Sequence, residues 1–186
     1  MSVAAILNYT YDDYKQWEGE WELIDGVPIA MAPAPTKRHQ RLAGGIFLQL
    51  TQTFNNEVCP QCEVLYETDW KISDETVVCP DIVLACEDEG ETYLTKAPKL
   101  IVEILSPSTA KKDETVKFEL YEAEGVTYYI LVYPDDLKAK VYRLNSEGHY
   151  IKVGDYTHEL LELDEHACQA KIDFAQVFQS FRKPSA

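Results

Sequence analysis

Apolar residues change rhythm several times along this chain, and each change marks a boundary between elements. Residues 10–18 read as a short helix, with Thr10 as N-cap and Asp12 and Asp13 in its first turn, where carboxylates meet the positive end of the peptide dipoles. From Trp21 to Met31, two short apolar runs flank Asp25-Gly26. That dipeptide accepts the left-handed conformation of a tight turn, so the segment is predicted to be a hairpin, ended by Pro33-Ala34-Pro35-Thr36. Over 37–56, Leu42, Ile46 and Leu50 recur every four residues, and Phe47 and Phe54 extend the stripe, which predicts an amphipathic helix.

Two strands are expected next, at 63–72 and 76–86. The first alternates, with Val64, Tyr66, Thr68 and Trp70 on one side; the second surrounds Pro80-Asp81 with apolar residues. Leu100–Leu105 is a continuous apolar run, the pattern of a strand covered on both faces in mid-sheet. Ser106-Pro107-Ser108-Thr109 breaks it, and residues 110–124 read as a helix ending at Gly125, with Val116, Leu120 and Ala123 as its packing stripe. Tyr128–Tyr133 is another apolar strand, turned by Pro134-Asp135-Asp136 into Ala139–Leu144. One or two strands over 149–163 and a closing helix with Ile172, Phe174, Val177, Phe178 and Phe181 complete the pattern. No repeat or linker divides the chain, so residues 1–186 read as a single α/β or α+β domain with a mixed sheet.

Composition adds limits. At 186 residues and 46% hydrophobic content the chain suits one globular domain. No apolar run approaches the roughly 20 residues of a membrane helix, and the N-terminus lacks a basic region before its short apolar stretch. No membrane association and a cytoplasmic location are therefore expected. Five irregularly spaced cysteines fit a reducing compartment better than a disulfide framework, and Cys59-Pro-Gln-Cys62 reads as a loop, because a zinc ribbon requires a second pair. The net charge of −15 opposes nucleic acid at long range, but its distribution is uneven. Residues 57–91 carry eleven acids and one base, Lys71, whereas Lys37, Arg38, His39 and Arg41 form one basic cluster and Lys111, Lys112 and Lys117 another. The plainer reading of both clusters is solvated helix surface.

Three features carry candidate chemistry. Glu103 lies inside the apolar run Leu100–Leu105, where an unpaired carboxylate is costly; a bound cation or a buried ion pair would resolve it. Asp81 follows Pro80, which removes a backbone donor from an apolar strand and frees the aspartate toward a cleft, although Pro-Asp also marks ordinary strand-end turns. Two carboxylates on neighbouring strands are enough protein ligation for a hard divalent cation. The helix after Glu103 sets Asp113, Lys117 and Tyr121 on one face at intervals of four. A lysine aimed at Glu103 would stabilise charge on a phosphate, while a surface Asp–Lys pair is the plainer alternative.

The run Pro80-Asp81-Ile82-Val83 followed by Pro98-Lys99-Leu100-Ile101-Val102-Glu103-Ile104-Leu105-Ser106-Pro107-Ser108-Thr109 resembles the Uma2 (DUF820) family of restriction endonuclease-like proteins. The likeness continues through Asp113, Lys117, Tyr121, Gly125-Val126 and Tyr128–Val132, includes Trp21–Gly26 and His39-Gln40 upstream, and spans about 10–178. It implies a PD-(D/E)XK nuclease with a restriction endonuclease-like central mixed sheet flanked by helices and an additional β-hairpin. Asp81 and Glu103 would be catalytic carboxylates and metal ligands, joined by the Ile104 main-chain carbonyl; Lys117 would replace the usual lysine, whose place is taken by Leu105. Glu22, His39, Asp113 and Tyr121 would stand behind them. The expected activity is Mg²⁺- or Mn²⁺-dependent hydrolysis of phosphodiesters, with DNA as the nucleic-acid partner. A non-cleaving binding or assembly module on the same fold is the alternative, favoured by the net charge and Leu105. A serine hydrolase is disfavoured because no G-x-S-x-G elbow exists. The tyrosine-rich hairpin 128–144 offers a surface for a homodimer, or equally a core hairpin.

Overall fold

Thr10 opens the first helix as its spacing predicts, but the helix α1 runs only Tyr11–Tyr14. The Asp13 carboxylate accepts from the Thr10 amide (2.9 Å) and hydroxyl (3.0 Å). The computed structural model describes residues 8–31, 34–54, 59–107, 109–165 and 168–182. Pro33, Ser108, the expected helix end at 55–56 and the first seven residues lie outside these. The hairpin follows as β1 (Trp21–Ile24) and β2 (Val27–Ala30), paired antiparallel from Trp21↔Ala30 to Ile24↔Val27. Asp25 (φ 50°) and Gly26 (φ 73°) both take the left-handed conformation of its two-residue turn.

Helix α2 (Lys37–Thr53) begins where Thr36 Oγ1 accepts from the His39 amide at 3.2 Å, and it buries Leu42, Ala43, Ile46 and Leu50. The two long strands expected after it are each divided. The first becomes β3 (Cys62–Tyr66) and β4 (Trp70–Lys71), separated by Glu67, which has φ 46°. The second becomes β5 (Val77–Val78) and β6 (Ile82–Cys86), separated at Cys79-Pro80-Asp81. Each break sends one half to a different sheet, so the single alternating face expected over Val64–Trp70 does not exist. Pro80, having no N–H to give, sits where the chain leaves one ladder for the other.

The larger sheet has the order β10-β9-β8-β7-β6-β3. Its centre is β7 (Leu100–Ile104), fully buried and parallel to β8 (Tyr128–Tyr133); the other neighbouring pairs are antiparallel. Strands β9 (Lys138–Leu144) and β10 (Tyr150–Tyr156) continue from β8. The hairpin considered for dimerisation is therefore interior, with β10 along its outer side. One face of the sheet packs Ile82, Val102 and Ile104 against α2. The same core takes in β11 (Leu160–Glu165), β12 (Cys168–Asp173) and the closing helix α5 (Phe174–Gln179). Ile172 lies on β12 rather than on the closing helix. The opposite face packs Val83, Ile101 and Leu131 with Ile24, Trp70 and Val78 of the smaller sheet, whose order is β2-β1-β5-β4.

The crossover from β7 to β8 is two helices, α3 (Ala110–Glu114) and α4 (Val116–Ala123), where one was expected. Thr115 departs from helical geometry (φ −126°, ψ −78°), and its hydroxyl donates to the Lys111 carbonyl at 2.6 Å, a local bond that competes with the helical ladder. The expected packing stripe is corrected in part: Leu120 packs against the core, but Val116 is 44% exposed and Ala123 is exposed too. Asp113, Lys117 and Tyr121 are the buried positions. Hydrophobicity alone assigns the wrong face here because the polar triplet has partners waiting in the core. A second correction concerns the thiols: Cys62 and Cys86, opposite each other on β3 and β6, form a disulfide.

Candidate active site

The carboxylates of interest lie near adjoining ends of neighbouring strands. Strands β6 and β7 pair Ile82↔Val102, with Asp81 immediately before β6 and Glu103 the next residue along β7. The Asp81 side chain reaches across to β7, where Oδ2 accepts from the Ile104 amide at 2.6 Å. The same oxygen lies 3.2 Å from Nε2 of His39, presented by the first turn of α2.

Glu103 points to the other partner set. Lys117 donates to its Oε1 at 2.9 Å and Tyr121 donates to the same oxygen at 3.0 Å, so both bonds leave Oε2 aside. Lys117 also stands 2.7 Å from Glu22 Oε1 and 3.7 Å from Asp113 Oδ1. Lys112 pairs with the second oxygen of Glu22, and the Cys79 amide donates to the first at 3.1 Å. Glu22 is wholly buried, and Glu103, Asp113 and Lys117 are only 3–4% exposed. The expected surface pair of Asp113 and Lys117 is thus an interior one.

Three buried carboxylates share two ammoniums, and the electrostatics follow from that shortage. Burial raises the Glu22 carboxyl, but Lys117 and Lys112 outweigh it and hold the group below its ordinary range. For Glu103, burial dominates; Lys117 opposes it, Asp113, Asp81 and Glu22 add to it, and the carboxyl is pushed up to about 8. Asp113 is raised for the same first reason, and its Oδ1 is buried with no hydrogen-bond partner among the described residues. Burial alone would lower Lys117; the carboxylates of Glu103, Glu22 and Asp113 hold it well above its ordinary value. Burial likewise lowers His39, and the hydrogen bond and charge of Asp81 more than reverse this, helped by the Ile104 backbone.

No group of three or more His, Cys, Asp or Glu side chains is arranged to hold a metal among the described residues. What the strand ends offer is a smaller set: the Asp81 carboxylate, the open oxygen of Glu103 and the main chain at Ile104. With all three carboxyls ionised the cluster has one more negative than positive charge, which a cation would offset. Lys112, at its edge, remains 17% exposed. On α2, Arg38 pairs with Asp135 at 3.0 Å, and Arg38 and Arg41 both lie over the Phe181 ring.

Sequence reasoning ranked Glu22 as peripheral and passed over Lys112 as part of a surface cluster. The signal for Glu22 was the one that singled out Glu103, an acid inside an apolar strand, here Trp21-Glu22-Leu23-Ile24. Lys112 carried no comparable signal, because its partner is 90 residues away.

Comparison with known proteins places this arrangement in context. The profile of the Uma2 family, described as "Putative restriction endonuclease", matches residues 11–170. "Uncharacterized protein slr1290" of Synechocystis sp. is 28% identical over 173 residues, covering 87% of this chain and 88% of that protein. A crystal structure described as "a putative nuclease belonging to DUF820" from Anabaena variabilis superposes with a TM-score of 0.68 at 20% identity, covering 91% of this chain and 97% of that one. At that identity the likeness concerns the fold.

Proposed function

Because the chain belongs to the Uma2 family, whose description is "Putative restriction endonuclease", we propose that it is a divalent-metal-dependent endonuclease that hydrolyses phosphodiester bonds in DNA. The observation that supports the reading is that the Asp81 carboxylate accepts from the Ile104 amide at 2.6 Å, next to Glu103 on the neighbouring strand β7. Asp81, Glu103 and the Ile104 carbonyl are the donors for Mg²⁺ or Mn²⁺, an all-oxygen set of the kind hard cations take. A divalent cation there supplies an activated water and polarises the phosphodiester.

The chain's own groups do the positioning. Lys117 and Tyr121 both donate to Oε1 of Glu103 and so restrict the rotation of its carboxylate. Lys117 is too enclosed to travel; its part is to hold Glu103, Glu22 and Asp113 together. Lys112 reaches solvent and brings positive charge to the mouth of the cluster, where a phosphate develops negative charge. Lys37, Arg38 and Arg41 line the start of α2 and attract a polyanion locally, against the net charge of −15.

The test is cleavage of supercoiled plasmid and of single-stranded DNA with Mg²⁺ or Mn²⁺, comparing wild type with Asp81→Asn and Glu103→Gln. The proposal expects nicking by the wild type and its loss, by at least about a hundredfold, in both variants. Equal cleavage by wild type and Glu103→Gln removes the assignment. A second reading, a nucleic-acid-binding module that cleaves nothing, draws on Leu105 at the usual lysine position and on the grip of Lys117 and Tyr121 on Glu103. Calorimetric titration with Mn²⁺ separates them: no binding at millimolar concentration by a folded protein favours the module.

A further inference from the structure

Strand β1 turns successive side chains to opposite sides. Glu22 goes inward to Lys112 and Lys117, whereas Trp21 goes the other way and stays partly exposed. There it meets Trp17, from the segment after α1, and Trp17 in turn meets Tyr9, from the segment before α1. The Tyr9 and Trp17 rings stand 5.3 Å apart at 84°, and the Trp17 and Trp21 rings stand 5.6 Å apart at 63°. Together with Pro28 of β2, these three rings line a cavity of about 170 Å³. None of the four residues belongs to either buried core.

Shape and charge limit what can enter. Rings stacked flat make a platform for one planar guest, while rings at steep angles make a corner that suits a rounded group touching several walls. A cavity of roughly 150 Å³ takes a molecule of benzene's size, and a drug-sized ligand needs about 300–1,000 Å³, so the space accommodates a single head group. The surroundings are acidic. Over residues 9–28 Asp12, Asp13, Glu18, Glu20 and Asp25 reach solvent, and the one base, Lys15, is engaged by Asp12 at 2.7 Å. Phosphate is repelled by such a surface and a cation is attracted. Aromatic faces attract a cation as well, through the negative face of the ring. A primary ammonium holds its water strongly. A trimethylammonium group has an apolar outer surface and gives up water readily to walls of this kind.

The walls are set in advance. Trp21 Nε1 donates to the Glu18 carbonyl at 2.8 Å, and the Tyr14 hydroxyl donates to the Trp21 carbonyl at 3.1 Å. The Trp17 amide donates to the Tyr14 carbonyl at 3.0 Å and the Tyr9 amide to the Gly26 carbonyl at 2.9 Å. Walls already in place reduce the ordering cost of binding. We propose that this cavity binds a trimethylammonium head group, with Tyr9, Trp17 and Trp21 as its aromatic walls and with Glu18 and Glu20 attracting the cation from the surface. Such a site is independent of any cleavage of DNA.

Titration of the full chain with choline, read by tryptophan fluorescence and by the choline methyl resonance in proton NMR, tests the assignment. Trp17 and Trp21 line the cavity and the remaining tryptophan, Trp70, is buried, so the fluorescence reports on the site. The expected result is saturable binding with a dissociation constant on the order of a millimolar or tighter, and an upfield methyl shift from the rings. The uncharged tert-butyl isostere of choline should bind at least about tenfold more weakly. Trp17→Leu should weaken choline about tenfold and Trp17→Phe less. Should Trp17→Leu fail to fold, the exposed pair Glu18→Gln and Glu20→Gln should still weaken choline a few-fold at low salt. A trimethyllysine peptide that binds more tightly than choline makes a protein side chain the source of the head group; tighter binding of choline makes it a small molecule. No response beyond that of sodium chloride at equal ionic strength, equal affinity for the tert-butyl isostere, or undiminished affinity in a folded Trp17→Leu overturns the assignment.

Discussion

Replacing Lys117 by methionine tests the interior of the cluster most severely. Methionine has a similar length and an apolar end, so the change removes a charge with little change in volume. Lys117 is 3% exposed and faces Glu22 at 2.7 Å, Glu103 at 2.9 Å and Asp113 at 3.7 Å. In Lys117→Met only Lys112 remains for three carboxylates, and it reaches only the outer oxygen of Glu22. Breaking a buried ion pair from one side costs about 3–5 kcal/mol, since the orphaned charge stays in a medium that solvates it poorly. In a chain of this size each kcal/mol moves the melting temperature by about 2–4 °C, so the expected fall is roughly 6–20 °C. Adding Glu103→Gln removes one of the acids left without its partner and should restore about 1–3 kcal/mol, measured as the coupling in a double-mutant cycle. Differential scanning calorimetry of the four proteins provides both quantities. A Lys117→Met melting temperature within about 2 °C of wild type, with no coupling to Glu103, would refute the picture of one ammonium holding three acids.

Two further expectations concern regions away from the cluster. Asp88 accepts from the amides of Gly90 (2.8 Å), Thr95 (2.7 Å) and Lys96 (2.7 Å); burial raises its carboxyl, these bonds outweigh burial, and the net shift is downward. A lowered folded-state pKa contributes stability above the unfolded value of about 3.9 and loses it as pH falls through the folded value. Asp88→Ala should therefore lower stability at neutral pH, with the difference from wild type shrinking as pH falls through the folded value; a difference that stays constant on acidification counts against this. Gly26→Ala introduces a side chain at φ 73° and places its Cβ 3.2 Å from the Asn8 Cα, so a loss of about 1–2 kcal/mol is expected by urea unfolding. An unchanged midpoint would show that the turn relaxes freely.

The chain's local patterns and its long-range contacts were unequally legible. The Asp25-Gly26 hairpin, the α2 stripe and the buried strand at Leu100–Ile104 depend on nearest neighbours and periodicity, and the structure has them where the sequence places them. The breaks at Glu67 and Pro80 were hidden because each half-strand is apolar and extended; only the existence of two sheets determines where the chain must switch. The face of α4 was misjudged for a related reason. Val116 and Ala123 look like packing residues, but Lys117 and Tyr121 gain ionic and hydrogen-bonded partners supplied by β1 and β7, which no helical pattern reveals. Lys112 and Glu22 meet across 90 positions for that reason as well. The Cys62–Cys86 disulfide lay outside what odd cysteine number and spacing convey, since it depends on the register of β3 and β6.

Anomalous diffraction from crystals grown with Mn²⁺ measures most directly whether Asp81 and Glu103 share a cation. The expected result is one strong peak within ligand distance of both carboxylates, bordered by the Ile104 carbonyl. A protein that takes up Mn²⁺ elsewhere, with Asp81 and Glu103 still turned to His39 and Lys117, would contradict it.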